Sequence, residues 1–148
     1  MKAIKTTSEN TDFQNLVKQL DLYLSDVDGD NHDFYHQFNG ITMLKNCIVI
    51  YVNNEAVACG AIKKYDDKTV ELKRMFTSPE MRGKGIASFL LKELEAWASA
   101  LNFETIILET GKTQTDAVAL YTKNQYQIIP NFGPYSEIVE SVCFEKKI

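Results

Sequence analysis

Pro79 to Ser88 reads PEMRGKGIAS, a turn that holds two glycines and two cations directly ahead of an amphipathic helix. A helix start leaves its first backbone N–H groups without partners, and the helix dipole adds partial positive charge there. Gly83 and Gly85 let the backbone come close to a ligand, while Arg82 and Lys84 add full charges. Such a turn suits an anion, above all a phosphate or pyrophosphate. The competing reading is a solvated basic turn before an ordinary helix. Two other phosphate-binding patterns fail on their residues. The run from Gly83 to Ser88 lacks the third glycine of a dinucleotide fingerprint, and Ile106 stands where a P-loop ending in Gly111-Lys112-Thr113 needs its first glycine.

The elements that must position this turn follow from hydrophobic periodicity. Phe13, Leu16, Val17, Leu20 and Leu24 recur at helical spacing behind a cap at Thr11 or Asp12, so a helix is expected through about Leu24. A short helix is expected near 33–38. Strands are expected at 2–7, Cys47–Val52, Ala56–Tyr65 and Thr69–Thr77, the last three as an antiparallel meander. After the turn, Ile86, Phe89, Leu90, Leu94, Trp97 and Leu101 mark one face of a long helix. A strand at Thr105–Glu109, a helix at Asp116–Lys123 and strands at Tyr126–Ile129 and Ser141–Glu145 complete the order. The expected fold is α/β (α+β): a mixed central sheet, β-meander then βαβαβ, with helices on both faces and one domain over 1–148.

Composition narrows the function classes. The 148 residues are 45% hydrophobic and 24% charged with net charge −4, an ordinary globular balance without the basic excess that nucleic acid demands. Cys47, Cys59 and Cys143 form no metal or CxxC spacing and read as core thiols in a reducing cytosol. The opening MKAIKTTSEN has no apolar signal core, and no apolar run is long enough to span a bilayer. A cytoplasmic protein with no membrane partner is expected. Asp26 to Asp33, DVDGDNHD, fails as a calcium loop because Asn31 and Gln37 occupy the positions that need glycine and glutamate. His32 and His36 lack a third ligand, so no metal is expected.

Arg82, Gly85 and Ala87 meet the pattern [R/Q]-x-x-G-x-[G/A]. The stretch VELKRMFTSPEMRGKGIASFLLKELEAWA and the following LETGKTQTDAVALYTKNQY, with Ala117, Leu120 and Tyr121 as Ala-x-x-Leu-Tyr, go further. From about residue 47 onward the chain resembles the GCN5-related N-acetyltransferase (GNAT) superfamily. The resemblance implies acetyl-CoA as donor. It implies that the amides of Arg82, Gly83, Lys84, Gly85, Ile86 and Ala87, with Ser88 close behind, bind the pyrophosphate. Met75, Phe76 and Thr77 would pair with the pantetheine arm as an added strand. Gln114 stands where the family often has a cofactor-binding asparagine. Gln125-Tyr126 replaces the family's Gly-Phe, which leaves that turn's geometry open.

Acetyl transfer to an amine needs a positioned thioester, a deprotonated nucleophile and a stabilised leaving thiolate. The resemblance makes Tyr121 the acid. Glu71 lies eleven residues before Arg82, as the base of the histone-acetylating branch does, and is the expected base; Glu109 is the second choice, and a water chain is the other alternative. Strand alternation would put Glu71, Lys73, Met75 and Thr77 on one face. Tyr23, Phe34, Tyr35, His36 and Tyr135 are candidates for the acceptor pocket, with Asn131–Glu137 as a loop over it. The expected activity is direct acetylation of a small primary amine, an amino acid or a polyamine-like molecule. A non-catalytic acyl-CoA-binding sensor and a protein-amine acetyltransferase are the alternatives. A homodimer through the last strands stays open.

Overall fold

The structure is a computed structural model and describes residues 1–28 and 44–148; Phe34, Tyr35, His32, His36, the helix expected at 33–38 and most of the DVDGDNHD run lie outside them. The elements in chain order are β1 (Lys2–Thr6), α1 (Thr11–Asp28), β2 (Asn46–Val52), β3 (Glu55–Lys64), β4 (Thr69–Thr77), α2 (Ile86–Ala100), β5 (Thr105–Gly111), α3 (Thr115–Lys123), β6 (Gln127–Ile129) and β7 (Ser141–Lys147). Short 3₁₀ turns occupy Pro79–Met81 and Gly133–Tyr135.

Local chemistry explains most of the boundaries. Asn10 Oδ1 accepts the Phe13 N–H at 2.9 Å and caps α1, one residue earlier than the expected cap. The helix runs past the expected end at Leu24 to Asp28, with no glycine or proline in that interval. Asn53 and Asn54, at φ 51° and 66°, make the two-residue turn between β2 and β3, the left-handed backbone that asparagine tolerates and that matches hairpin twist. Gln125 also sits at positive φ, 72°, so the turn after α3 keeps the backbone that a glycine would supply. A Gln125→Gly variant should therefore gain about 1 kcal/mol, read as a higher urea midpoint with an unchanged slope.

The seven strands form one mixed sheet in the order β1-β2-β3-β4-β5-β7-β6. All neighbours are antiparallel except β4 and β5, which are parallel. The sequence pattern implies the meander and the mixed sheet, but not that β7 inserts between β5 and β6. Helices cover both faces. On one, Leu90, Leu91 and Leu94 of α2 and Tyr121 of α3 pack on Ile48, Ile62, Leu72, Ile106 and Phe144. On the other, Phe13, Leu16, Val17 and Leu20 of α1 pack on Cys47, Val49, Cys59, Ala61 and Phe76.

The parallel pairing is short: Thr69, Val70 and Glu71 face Thr105, Ile106 and Ile107, and there it ends. Beyond Glu71 the two strands part, and both candidate pockets open where they separate.

Candidate active site

The end of β4 runs through the 3₁₀ turn into the glycine-rich loop. Gly83 has φ 77° and Gly85 has φ 81°, both left-handed. Gly85 is the N-cap of α2, and no side chain caps the helix there. The first N–H groups of α2 are therefore open to an anion, as the sequence implies. A cleft of about 500 Å³ lies against this helix start, between β4 and α3. Met75, Phe76, Thr77, Arg82, Gly83, Gly85, Ile86, Ala87, Ser88, Gln114 and Tyr121 line it. Lys84 points elsewhere: its exposed side chain brings Nζ to 3.9 Å from Met81 Sδ.

Two of these side chains brace the cleft. Arg82 Nε donates to the Thr77 carbonyl at 2.9 Å, and its guanidinium lies 5.3 Å from the Tyr23 ring centroid and 5.7 Å from that of Phe76. Tyr23, a candidate for the acceptor pocket, thus lines the larger cleft instead. Asn124 Nδ2 donates to Ser88 Oγ at 3.1 Å and ties the end of α3 to the first turn of α2.

A second pocket of about 100 Å³ opens from the parting of β4 and β5. Its polar lining includes Glu71, Lys73, Arg74, Glu109, Thr110, Gln114, Tyr121 and Tyr135. Leu20, Met75, Gln114, Ala117 and Tyr121 line both spaces, so Tyr121 stands at their junction. The Tyr121 phenol is buried and packs at tilted angles on Tyr126 and Phe144. Burial, and after it the Glu109 carboxylate, raises its pKa well above the usual tyrosine value.

The carboxylates of the smaller pocket are held differently. Glu71 Oε2 pairs with Lys73 Nζ at 3.1 Å, and that ammonium also donates to Tyr135 Oη at 3.4 Å. Glu109 Oε2 accepts from Ser141 Oγ at 2.7 Å. Tyr135 comes from the 3₁₀ turn of the loop after β6, so that loop does close over this pocket.

The expected alternation on β4 does not hold. Cys59 faces Phe76 and Ala61 faces Lys73, so β4 carries one residue more than β3 across this interval. Arg74 sits in this bulge with φ 57°. Val70 and Leu72 pack toward α2, yet Phe76, an even number of residues on, packs toward α1. Met75 turns toward α2, where its Sδ would lie 2.7 Å from a Cβ placed on Gly60. Glu71 and Lys73 thus share a face that Met75 does not. Reading the strand as regular rightly put Lys73 beside Glu71 but missed Arg74 as a pocket residue. Gly60, alone inside β3 and opposite the bulge, is the sequence signal that marks it.

No cysteine in the described residues is poised as a nucleophile. All three thiols are free and buried. Burial pushes Cys47 up to about 12 and Cys143 up to about 11; for Cys143 a hydrogen bond from the Phe132 backbone opposes the shift and Glu109 adds to it.

The site joins a phosphate-type helix start, a cleft with room for a long ligand and a small charged pocket, with one tyrosine between them. This combination fits an acyl-CoA beside an acceptor. The acetyltransferase (GNAT) family model matches residues 13–126, more than half of the chain. An IAA acetyltransferase of Azospirillum brasilense is 34% identical over 137 residues, covering 90% of this chain and 88% of that protein. A solved structure from Klebsiella pneumoniae, itself only provisionally assigned as an acyl-CoA N-acyltransferase, superposes with TM-score 0.82 at 30% identity, covering 99% and 96% of the two chains. A GNAT acetyltransferase of Elizabethkingia anophelis, solved with acetyl-CoA bound, shares the fold with TM-score 0.70 at 17% identity over 99% and 97% of the chains. The chain belongs to the GNAT acetyltransferase family and is an acyltransferase, an acetyl-CoA-dependent N-acetyltransferase.

Proposed function

We propose that this chain acetylates the primary amine of a small molecule by direct transfer, with acetyl-CoA in the larger cleft and the amine in the smaller pocket. The observation that carries this reading is the position of Tyr121, which lines both spaces. Acetyl-CoA supplies an activated acetyl thioester. The amides of Gly83 to Ala87 at the uncapped start of α2 hold its pyrophosphate, and the backbone of Met75, Phe76 and Thr77, past the end of the β4–β5 pairing, holds the pantetheine arm. Gln114 and Ser88 line that path.

Glu71 takes the proton from the incoming ammonium, directly or through one water, with Glu109 as the second candidate. Lys73 fixes the Glu71 carboxylate in the pocket. Tyr121 Oη donates a hydrogen bond to the leaving sulfur. Its raised pKa makes full proton transfer to a thiolate uphill, since a thiol titrates near 8.5, so its role is stabilisation by a retained proton. The protonated thiols favour direct transfer over a cysteine-bound acyl group. Three free, buried thiols suit a cytoplasmic setting, with residues 1–148 acting as one domain.

The test is CoA release from acetyl-CoA, followed by thiol detection, over amino acids, polyamines, aminoglycosides and peptides. Release stimulated by small amines is expected. Stimulation by peptides alone would overturn the small-molecule reading. A Glu71→Gln variant should lose about 10²-fold in kcat and change the shape of the pH–rate profile. An unchanged profile would transfer the role to Glu109, where the same substitution is the next check.

A further inference from the structure

We propose that the acceptor carries a carboxylate beside its amine, so that it is an amino acid, and that Arg74 is the residue that reads the carboxylate. The inference rests on the acetyltransferase reading above and narrows its acceptor. The bulge on β4 places two cations at consecutive positions against the same small pocket, where a regular strand would send one to each face. Both are buried: Lys73 is 8% exposed and Arg74 6%. Glu71 and Glu109 line the same pocket, and Asp21 stands behind Arg74 as a third carboxylate.

Arg74 is incompletely satisfied among the described residues. Its Nη2 forms an ion pair with Asp21 of α1, while its Nε is buried and has no hydrogen-bond partner. A charged donor held out of water without an acceptor is costly, and native structures seldom leave one so. A ligand carboxylate supplies the missing acceptor, since its two oxygens match the planar donor fork of a guanidinium. An amino-acid zwitterion brings one cation and one anion: the carboxylate goes to Arg74, whose Nε lacks an acceptor, and the amine goes to Glu71 and Glu109. A diamine brings two cations, and Glu71 is already paired with Lys73. About 100 Å³ suits an amino-acid head group.

The experiment compares matched acceptors with the wild-type enzyme and acetyl-CoA: lysine against cadaverine, ornithine against putrescine, and alanine against alaninamide. The carboxylate-bearing member should be favoured at least about tenfold in kcat/KM, the effect of one charged hydrogen bond. In Arg74→Gln, KM for that member should rise about tenfold, and the acid-to-amine ratio of kcat/KM should fall by about the same factor. Because loss of a buried arginine can unfold the chain, Asp21→Asn is the second variant. It removes the anion that competes for Arg74, and it should widen the preference for the carboxylate-bearing member. A purely structural Arg74–Asp21 pair would lower thermal stability in both variants and leave the acid-to-amine ratio unchanged. Equal or better turnover of the carboxylate-free members by the wild type, or an unchanged ratio in folded variants, overturns the inference and leaves the acetyltransferase reading standing. No CoA release with any member would overturn the inference alone, because aminoglycosides and other small amines lie outside this set and still test the acetyltransferase reading.

Discussion

Replacing Tyr121 with phenylalanine should lower kcat by about 10²–10³-fold and leave acetyl-CoA affinity within a few-fold of wild type. The substitution removes one oxygen from a buried ring that packs on Tyr126 and Phe144, so the fold and the cleft wall survive it. Only the proposed hydrogen bond to the leaving sulfur is lost. Stopped-flow or steady-state thiol release gives kcat, and calorimetric titration with CoA gives the affinity. Unchanged turnover would remove Tyr121 from the chemistry. The pH dependence has a definite sign. Burial and the Glu109 carboxylate raise the phenol's pKa, so the proton is kept as pH rises through the ordinary tyrosine range near 10. Any loss of rate between neutrality and that range therefore belongs to another group, and the Phe variant should retain the same alkaline limb at a lower level.

Gly85→Val should weaken CoA and acetyl-CoA binding at least about tenfold, with a much smaller effect on kcat at saturation. The argument concerns the backbone and not space, because a Cβ at Gly85 would meet nothing within 4 Å. At φ 81° a β-branched side chain is strongly disfavoured, by at least about 1–2 kcal/mol, so the valine variant gives up the left-handed backbone. The N–H groups at the start of α2 then turn from the cleft. A thermal melt separates this from unfolding, since Gly85 is an exposed loop position and the core should be unaffected. Intact CoA affinity in the folded variant would remove the loop from the binding site.

The sequence is legible where local chemistry decides. Helical spacing from Ile86 to Leu101 gives α2 nearly to the residue, and the β-rich runs after Cys47 give the meander. The glycine loop locates the larger cleft, because backbone conformation there depends on residue type, while the Ala-x-x-Leu-Tyr helix points to it through the family resemblance. The smaller pocket is less legible. It depends on where β4 and β5 part, on one extra residue at Arg74 and on the arrival of Tyr135 from a loop 61 positions later. Those are long-range facts, and no local propensity encodes them. Arginine at positive φ is an unfavourable local choice that tertiary contacts overrule, here the ion pair with Asp21.

The strand order also bears on how the molecule is made. β7 lies between β5 and β6, and it pairs with β5 over seven positions whereas β4 pairs with β5 over three. During vectorial synthesis the meander can assemble as soon as it leaves the ribosome, since its partners are close in sequence. β5 must wait until residues 141–147 emerge before it gains its main neighbour. Glu109 waits with it, because its hydroxyl donor Ser141 is the first residue of that strand. The wall of the smaller pocket that carries Glu109 is therefore among the last parts of the nascent chain to take shape, and a stalled chain would carry the glycine-rich loop without that pocket complete.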